Sequence, residues 1–556
     1  MKKNIFLFVL LFAATGAFSQ NADDSVNVCK RLRYDVTVLS HDSMEGRETG
    51  SPGELRAAHF IVKRFKEIGL KPITPDYLQS LDFVDGVKVG DSNFLFINEK
   101  SGTLNKDFWP LSYAGNTSIK GESVYVKFGV TAPNMGYDDY SGMNNLQGKI
   151  FVIDMYGPDG ERENSKYKDF IDPNTKIELA IKKGAAGIIF INTAPKQYDP
   201  QKFLNSRTNP YSIPVIFATG DFVKVLTDKN PAKINISTQL KRVHKTGYNV
   251  LGIIDNNAPF TVVLGGHYDH LGYGEDGSMY TGKKAVHNGA DDNASGIAGL
   301  LELAKHYVNS DKKSFNYLFV AFTGEEKGFL GSNYFIKSGI FDLKKINYML
   351  NFDMIGRLSQ SEKTIALYGT GTSPSWKKAI ESIPARGLKL SSQESGMGSS
   401  DHVSFYLREI PAIHLFTNSH ADYHKPTDDV ELLNFGGMYN VVTFSEKLID
   451  NLDGEGKLTF TKTTDAGPQR VSLKVTLGVV PDLIFTGKGF RIEGVSAGKI
   501  AEKVGMKGGD IIVKLGDYNI NDINAYMSAL TKFSKGDKTK VVVLRDAKEM
   551  TFDVEF

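Results

Sequence analysis

The stretch Thr261-Val-Val-Leu-Gly-Gly-His267 is an uncharged, mostly apolar run that ends in a histidine. Three comparable runs follow it in the chain, at 317–322, 349–353 and 413–416. Amphipathic helical patterns, such as the one over 295–308, separate these runs. Short apolar runs that alternate with helices are typical of a mostly parallel sheet with helices on both faces. The sequence therefore predicts the α/β class for residues 243–452.

Each run ends next to side chains that can bind a metal ion. These are His267 and Asp269, Glu325 and Glu326, Asp353, and Asp422 with His424, and the loop 288–296 adds Asp291 and Asp292. In an open α/β sheet the carboxyl ends of the strands meet at one edge, where ligands bind. Imidazoles and carboxylates gathered at that edge suit zinc, which accepts both nitrogen and oxygen ligands.

Each of these features alone has a simpler structural explanation. A histidine at the end of a strand is often a hydrogen-bonded structural residue, and Asp-Asp-Asn before a helix can be an N-cap. Adjacent glutamates are commonly solvated surface charges. The conjunction of two histidines, three carboxylates and a further glutamate at one predicted edge favours a metal site.

The order of the motifs resembles that of the co-catalytic zinc aminopeptidases, which include secreted bacterial leucyl aminopeptidases and have glutamate carboxypeptidase among their relatives. The motifs are His267-x-Asp269, Gly289-Ala-Asp-Asp-Asn-Ala-Ser-Gly296, Gly324-Glu-Glu326, Asn351-Phe-Asp-Met354 and Tyr423-His424. The segment Met44-Glu-Gly-Arg-Glu-Thr-Gly-Ser-Pro-Gly53 is similar to their N-terminal signature. The resemblance implies a zinc-peptidase domain, an α/β/α sandwich, over residues 20–118 and 243–452.

The resemblance also implies two Zn²⁺ ions per chain, bound by five side chains: His267, Asp292, Glu326, Asp353 and His424. Asp292 would bridge the two ions, and its choice over Asp291 rests on the family pattern alone. Asp269 would hold the tautomer of His267, and Ser400 would support Asp353 in a similar way.

Glu325 and Tyr423 complete the predicted catalytic set with Asp269. Two neighbouring cations would lower the pKa of a bridging water, so that hydroxide forms near neutral pH. Glu325 would take the proton of that water and pass it to the leaving amine. Tyr423 would donate to the developing oxyanion, with a packing role as the alternative.

Other polar side chains of this region receive no metal role from the resemblance. They include five histidines: His270, His287, His402, His414 and His420. Asp401 and Arg357 lie near the site in sequence, and a structural salt link is the favoured interpretation of each.

Two further modules are predicted. Residues 119–242 resemble the protease-associated domain through the segments 148–154 and 183–190, and we expect this insert to limit substrate size. After a polar linker, 453–467, residues 468–556 resemble a PDZ domain, which binds a peptide as an added strand. Four residues of this domain are assigned to a peptide-binding loop that would receive a peptide C-terminus: Gly487, Gly489, Phe490 and Ile492.

The N-terminus has the features of a secretory signal over residues 1–19. Lys2 and Lys3 precede an apolar core and the small-x-small site Ala17-Phe18-Ser19. No later window is long and apolar enough to span a bilayer, so an exported protein, periplasmic or secreted, is expected. With the single cysteine Cys29 the chain cannot form an internal disulfide, and 66 basic against 64 acidic residues give no general attraction for nucleic acid.

The favoured interpretation is an exported aminopeptidase acting on peptides. A carboxypeptidase of the same superfamily is the alternative, and it would need a cation such as Arg357 for the substrate carboxylate. A glutaminyl cyclase typically holds one zinc, which the full ligand set argues against. A catalytically inactive peptide-binding scaffold is the non-enzymatic alternative, and it would be expected to lack ligands or Glu325.

Overall fold

The computed structural model describes residues 25–556 apart from 161–164, 195–197, 203, 206–207, 386, 464–474, 482–484, 486–487, 496–497 and 522. The predicted signal segment 1–19 and Gly487 lie outside the described residues. The chain divides into two compact units, one comprising residues up to Leu81 with Thr246–Phe556, the other Asp82–Lys245.

A nine-stranded sheet forms the centre of the α/β domain, which we define as residues 25–81 and 246–452. Its strands in chain order are β1 (Lys71–Pro72), β2 (Leu78–Val89), β3 (Leu240–Ile254), β4 (Thr261–His267), β5 (Asn316–Phe322), β6 (Ile346–Phe352), β7 (Thr364–Tyr368), β8 (Lys389–Gln393) and β9 (Ala412–Phe416). The spatial order is β1-β3-β5-β4-β6-β9-β7-β8, and β2 pairs with β3.

The central strands β4, β5, β6 and β9 are parallel and fully buried. The flanking strands β3 and β7 pair antiparallel with β5 and β9. Strands covered on both faces need apolar side chains in both directions, which explains the continuous apolar runs. The predicted α/β class with a mostly parallel centre is confirmed.

Helices cover both faces of this sheet. They are α1 (25–39), α2 (Pro52–Ile68), α3 (Gly296–Val308), α4 (Leu330–Ser338), α5 (Ser375–Glu381), α6 (His402–Tyr406) and α7 (Phe435–Asn451). Helices α2, α3 and α7 share one apolar core, and α4 and α6 pack in the core on the other face. No described helix meets the length and hydropathy that a membrane span requires.

Local signals set the ends of α2. The Ser51 side chain accepts a hydrogen bond from the Glu54 amide, and Gly69 ends the helix with a φ of 99°, a left-handed conformation that glycine adopts without strain. The predicted helix over 54–68 therefore extends two residues further at its start.

The second unit is built on an eight-stranded sheet. Its strands in spatial order are Lys100–Ser101, Phe94–Ile97, Lys233–Thr238, Thr117–Tyr125, Ile150–Asp154, Gly187–Ile191, Val215–Ala218 and Phe108–Pro110. Its helices are Pro173–Lys182 and Asp221–Leu226, and the short strands Thr131–Ala132 and Tyr137–Asp138 form a separate pair. Residues 82–118, which the sequence analysis assigned to the peptidase domain, belong to this unit because two of their strands pair with 233–238 and 215–218.

The C-terminal domain, residues 475–556, contains a six-stranded sheet and two helices. The strands are Val479–Pro481, Phe490–Val495, Ile511–Leu515, Tyr518–Asn519, Lys538–Arg545 and Lys548–Glu555, and the helices are Ile500–Lys503 and Ile523–Leu530. Strand 490–495 lies between 479–481 and 511–515, and the Phe490 and Ile492 side chains are buried in the core. The sequence analysis placed these two residues in a loop, whereas in the structure they alternate inward along a strand; their part in peptide binding stays a prediction.

The described part of the predicted linker, 453–463, is fixed to the α/β domain. The Leu458 amide donates to Asn347 Oδ1 (2.7 Å), and the Thr461 amide donates to the Thr372 carbonyl (2.8 Å). Thr463 Oγ1 lies 2.8 Å from the Tyr406 hydroxyl. Because its backbone groups are hydrogen-bonded to the domain, the segment 453–463 is an ordered part of that domain's surface.

Candidate active site

The strand ends gather the predicted ligands at one edge of the sheet. His267 is the last residue of β4, and Asp353 directly follows β6. Glu326 follows β5 after a short turn, and Asp292 lies in the irregular turn Ala290–Ser295 that precedes α3. His424 comes from the loop after β9. Parallel strands end on the same side of a sheet, so residues separated by up to 157 positions become neighbours.

One group of ligand atoms consists of His267, Asp292 and Asp353. His267 Nε2 lies 3.4 Å from Asp292 Oδ1 and 3.3 Å from Asp353 Oδ1. All three residues are buried. Charged carboxylates are rarely buried unless they are paired or coordinate a metal ion, so this group could hold a cation.

A second group faces the other oxygen of Asp292. His424 Nε2 lies 3.3 Å from Asp292 Oδ2 and 3.3 Å from Glu326 Oε2. His270 is also within reach, since its Nδ1 lies 2.9 Å from Glu326 Oε1 and 3.8 Å from Asp292 Oδ2. His270, Asp292 and Glu326 form a second set of atoms that could hold a metal ion.

The distance between a histidine nitrogen and a carboxylate oxygen distinguishes two ligands of one metal ion from two hydrogen-bonded groups. Two ligands about 2.1 Å from a tetrahedral zinc ion lie about 3.4 Å apart. The contacts of His267 and His424 with their carboxylates match that separation, at 3.3–3.4 Å. The 2.9 Å contact of His270 with Glu326 is instead an ordinary hydrogen-bond length. The residues therefore fit zinc, with His424 as the better ligand and His270 as a hydrogen-bond donor to Glu326.

Hydrogen bonds at Nδ1 orient both imidazoles. His267 Nδ1 lies 3.1 Å from the Asp269 carbonyl oxygen, and His424 Nδ1 lies 2.9 Å from the Gly277 carbonyl oxygen. A carbonyl only accepts, so each Nδ1 carries a proton, and Nε2 is the ring atom of each histidine that could coordinate a metal ion. The Asp269 side chain is 3.7 Å from the same Nδ1, so its main-chain carbonyl makes the closer contact.

Asp291 and Asp292 have different surroundings. Asp291 Oδ1 accepts from the Gly356 amide (2.6 Å), and its Oδ2 lies 3.2 Å from His420 Nε2. Both aspartate amides donate to Asp428 Oδ2, at 2.9 and 3.0 Å. Asp291 thus binds the turn to the rest of the domain. Of the two aspartates, Asp292 is the one that faces His267 and His424.

Buried amide and hydroxyl groups hold the segments that carry the ligands. Asn293 donates to the carbonyls of His267 (3.1 Å) and Phe352 (2.9 Å), which tie the turn to the ends of β4 and β6. Ser400 Oγ donates to Asp353 Oδ2 at 2.8 Å and accepts from Asn351 Nδ2 at 2.7 Å. Ser400 therefore lies where the sequence analysis expected a support for Asp353.

Arg47, from the N-terminal motif, is completely buried. Its guanidinium donates to four carbonyls: Tyr268 (2.7 Å), Leu39 (2.6 Å), Asn288 (2.7 Å) and Gly289 (2.9 Å). Two of these segments lead directly into the ligands, since Tyr268 follows His267 and Gly289 precedes the Asp292 turn. Arg47 therefore fixes the backbone beneath the candidate metal ligands.

Gly46 lets this motif approach the same backbone. Its φ is 64°, and a Cβ at this position would lie 2.4 Å from the Gly272 carbonyl oxygen. Any larger residue would force the segments apart.

The ligand cluster opens into a cavity of about 780 Å³, which Glu325 and Tyr423 also line. Burial raises the pKa of Glu325 well above its ordinary value; the charge of His267 opposes this rise, and Glu326 and Asp353 add to it. The Glu325 amide donates to Asp269 Oδ1 at 3.1 Å, which fixes the position of its main chain. The Tyr423 ring stacks on His424 with centroids 3.8 Å apart. Burial, with nearby carboxylates, raises the pKa of Tyr423 well above its usual value, so its hydroxyl stays protonated.

Arg357 and Asp401 have different surroundings. Arg357 pairs with Asp422 at 2.7 Å, so its guanidinium is already neutralised by a carboxylate of the chain. Asp401 is buried, and burial raises its pKa to about 7.

Comparison with protein families identifies the domain that carries this site. Residues 249–445 match Peptidase family M28, residues 119–226 match the PA domain, and residues 465–556 match the PDZ domain. The chain carries an M28 peptidase domain. The α/β domain defined above is therefore called the M28 domain.

Curated relatives match this chain at moderate identity. The chain is 28% identical over 324 residues to a probable leucine aminopeptidase 2 of Aspergillus oryzae, covering 56% of this chain and 58% of the relative. It is 28% identical over 324 residues to aminopeptidase YwaD of Bacillus subtilis, covering 54% of this chain and 63% of the relative. The chain thus spans about three-fifths of the length of these relatives.

Solved structures show a weaker likeness. The aminopeptidase from Aneurinibacillus sp. strain AM-1 is 23% identical, with 78% of this chain and 95% of that chain covered and a TM-score of 0.44. BSAP, a zinc aminopeptidase from Bacillus subtilis, is 21% identical, with 79% and 96% covered and a TM-score of 0.42.

Three residues of the M28 domain were given no role in the site by the sequence analysis. His270 contacts Glu326, Asp428 accepts the amide of the predicted bridging aspartate, and Arg47 holds the backbone beneath it. His270 lies one residue after Asp269, so its place near the cluster had a local signal. Arg47 stands in the segment 44–53 that is similar to the family's N-terminal signature, but its contacts, like those of Asp428, are with main-chain groups 242 and 136 positions away, which side-chain patterns do not reveal.

Proposed function

We propose that the protein is an exported metallo-aminopeptidase that removes N-terminal residues from peptides with two zinc ions. One observation carries the proposal: the two oxygens of Asp292 each lie 3.3–3.4 Å from the Nε2 atom of a different histidine. A carboxylate in that position is suited to bridge two cations. The curated relatives named as aminopeptidases supply the reaction class.

The five ligands would be His267, Asp292, Glu326, Asp353 and His424. Zinc held by these residues would supply Lewis-acid activation of the scissile carbonyl and of the attacking water near neutral pH. Glu325 would act as general base, since it lines the same cavity beside the cluster. Its raised pKa suits a group that takes a proton and then returns it to the leaving amine.

Tyr423 would donate a hydrogen bond to the oxygen on which negative charge develops. Its hydroxyl stays protonated because burial and the surrounding carboxylates disfavour the phenolate. Stacking on His424 fixes the ring, so little reorganisation is needed when the charge appears.

The charges of the cavity favour a substrate with a free amino group. Glu325 and Asp353 line it and attract a cation. A carboxypeptidase would need a basic group for the substrate carboxylate, and the sequence candidate, Arg357, is paired with Asp422. This ion pair favours the aminopeptidase over the carboxypeptidase.

Hydrolysis of amino-acid anilides and their N-acetylated forms tests the proposal. Purified mature protein should release the anilide only from the free amine, lose activity with a chelator and regain it with zinc. Glu325→Gln should lower kcat by about 10²- to 10⁴-fold while bound zinc is unchanged. Glu381→Gln, an exposed change on α5, serves as the matched control.

Three results would redirect the assignment. Cleavage of N-blocked peptides alone would favour the carboxypeptidase. Zinc binding without turnover of any substrate would favour the peptide-binding scaffold. A mature protein that retains residues 1–19 after expression would remove the basis for export.

A further inference from the structure

The cavity that contains the metal-ligand cluster is bounded on another side by the C-terminal domain. One continuous space of about 780 Å³ is lined by His267, Asp292 and Asp353 and also by residues of that domain. The lining residues from the C-terminal domain are Phe485, Gly489, Phe490, Arg491, Asn521 and Ile523. The two domains belong to the same compact unit.

The residues of the C-terminal domain that line the cavity form one of its walls, and an ion pair holds this wall to the M28 domain. Arg491 Nη2 lies 3.3 Å from Glu362 Oε2, and its Nη1 lies 3.5 Å from Oε1. The Arg491 guanidinium also stacks over the Phe485 ring at 4.7 Å from the centroid. A two-point guanidinium–carboxylate contact fixes orientation as well as distance.

A second contact lies beside the loop that carries the catalytic side chains. A Cβ on Gly494 would be 3.8 Å from Ala421 Cβ, ordinary van der Waals contact, so strand 490–495 passes close to that loop. Ala421 precedes Tyr423 and His424 by two and three residues.

The connecting segment contributes a third attachment, because Thr463 bonds to Tyr406 and receives the Gly396 amide at 3.1 Å. The neighbouring residues Met397 and Gly398 line the cavity.

The wall away from the ligands carries a group of apolar and aromatic side chains among polar ones. Phe485, Phe490 and Ile523 of the C-terminal domain share the cavity with Tyr368 and Phe416 of the M28 domain. Cavities of about 300–1,000 Å³ enclose small ligands, so this one is of a size for a short peptide rather than for an extended chain. Only one residue of an aminopeptidase substrate precedes the scissile bond, and the rest must occupy the remaining space.

We propose that the C-terminal domain forms the binding surface for the substrate residues that follow the scissile bond, and that the enzyme selects short peptides with apolar residues there. This inference rests on the proposed aminopeptidase function. It gives the C-terminal domain a direct part in substrate selection, in addition to any peptide held by its own sheet.

The test compares leucine amide with the tripeptide Leu-Phe-Ala on the full-length, zinc-loaded protein. Ile523→Ser removes apolar surface from the wall, and Glu362→Gln weakens its attachment from the M28 side. Each should lower the ratio of kcat/KM for the tripeptide to that for leucine amide about tenfold, mainly through KM. Met550→Ser, an exposed apolar change on strand 548–555 of the same domain, should leave the ratio unchanged.

A ratio that stays within twofold of wild type in both variants would overturn the inference. A non-cleavable ligand distinguishes failure of this inference from failure of the proposed function. The ligand is Leu-Phe-Ala with a reduced first peptide bond, and calorimetry measures its affinity for wild type and both variants. If neither substrate is cleaved, yet this ligand binds about tenfold more weakly to both variants, the aminopeptidase assignment fails and the binding surface stands. Equal binding to wild type and both variants rejects the surface whether or not cleavage occurs.

Discussion

Arg47→Met should destabilise the M28 domain strongly because four carbonyl groups would lose their donor. Each intramolecular hydrogen bond contributes about 1 kcal/mol net, so the four bonds of Arg47 amount to about 4 kcal/mol. Typical domains have about 5–15 kcal/mol of stability, so the loss is a large fraction. With about 2 °C per kcal/mol for a domain of this size, Tm should fall by about 8 °C.

Thermal unfolding followed by circular dichroism measures this shift. Lys63→Met is the control, since Lys63 is 66% exposed on α2 and pairs with Glu67 only at 3.8 Å. An exposed change of this kind should alter stability by less than about 0.5 kcal/mol and Tm by about 1 °C. Arg47→Lys should fall between the two, because one ammonium cannot reach all four carbonyls. A Tm for Arg47→Met within 2 °C of wild type would refute the reasoning.

Three further changes test individual contacts. Tyr423→Phe should lower kcat for an amino-acid anilide about 10²-fold with little change in KM, and an unchanged kcat would remove its role as a donor. Ser400→Ala should weaken zinc binding about 10- to 100-fold, because Asp353 loses its 2.8 Å hydrogen bond; competition with a chelator measures this, and equal affinity would count against it. Asp428→Asn should cost about 1–2 kcal/mol and speed hydrogen exchange at the Asp291 and Asp292 amides, whereas unaltered exchange would show that Asp428 does not hold the turn.

The sheet of the M28 domain could be predicted because each central strand is covered on both faces. A strand in that environment needs consecutive apolar side chains, as in 261–267. The helices between the strands show apolar residues at helical spacing. The start of the second unit could not be predicted in the same way. Strands 94–97 and 108–110 are short and pair with partners more than one hundred residues later, so nothing local marks their membership.

The structure adds local detail that the sequence did not predict in two places: the described part of the predicted linker, 453–463, and two residues of the predicted PDZ loop. Residues 453–463 are polar and Gly- and Thr-rich, yet the segment is held by backbone hydrogen bonds that any side chains would permit. The loop was assigned from the resemblance of residues 468–556 to a PDZ domain, whereas Phe490 and Ile492, both apolar, alternate as residues of a strand do.

Candidate ligand residues could be proposed from the sequence because metal chemistry restricts ligands to few side-chain types, which stand here at strand ends. The choice between Asp291 and Asp292 could not be made from residue type. In the structure it follows from direction: Asp291 turns toward Gly356 and His420, and Asp292 turns toward His267 and His424. Main-chain direction in this irregular turn depends on hydrogen bonds of Asp428, which lies 136 positions away, and of Asn293, whose partners are distant in sequence.

Because the two oxygens of Asp292 face different histidines, two metal ions bound as proposed would share its charge. A cation at either position would draw electron density from the carboxylate that the other requires, so binding at one position would change the affinity of the other. By thermodynamic reciprocity the change is equal in both directions. A zinc titration of this protein should therefore be described by a coupling free energy between the two binding events, and substitutions of Asp292 should alter that coupling as well as each affinity.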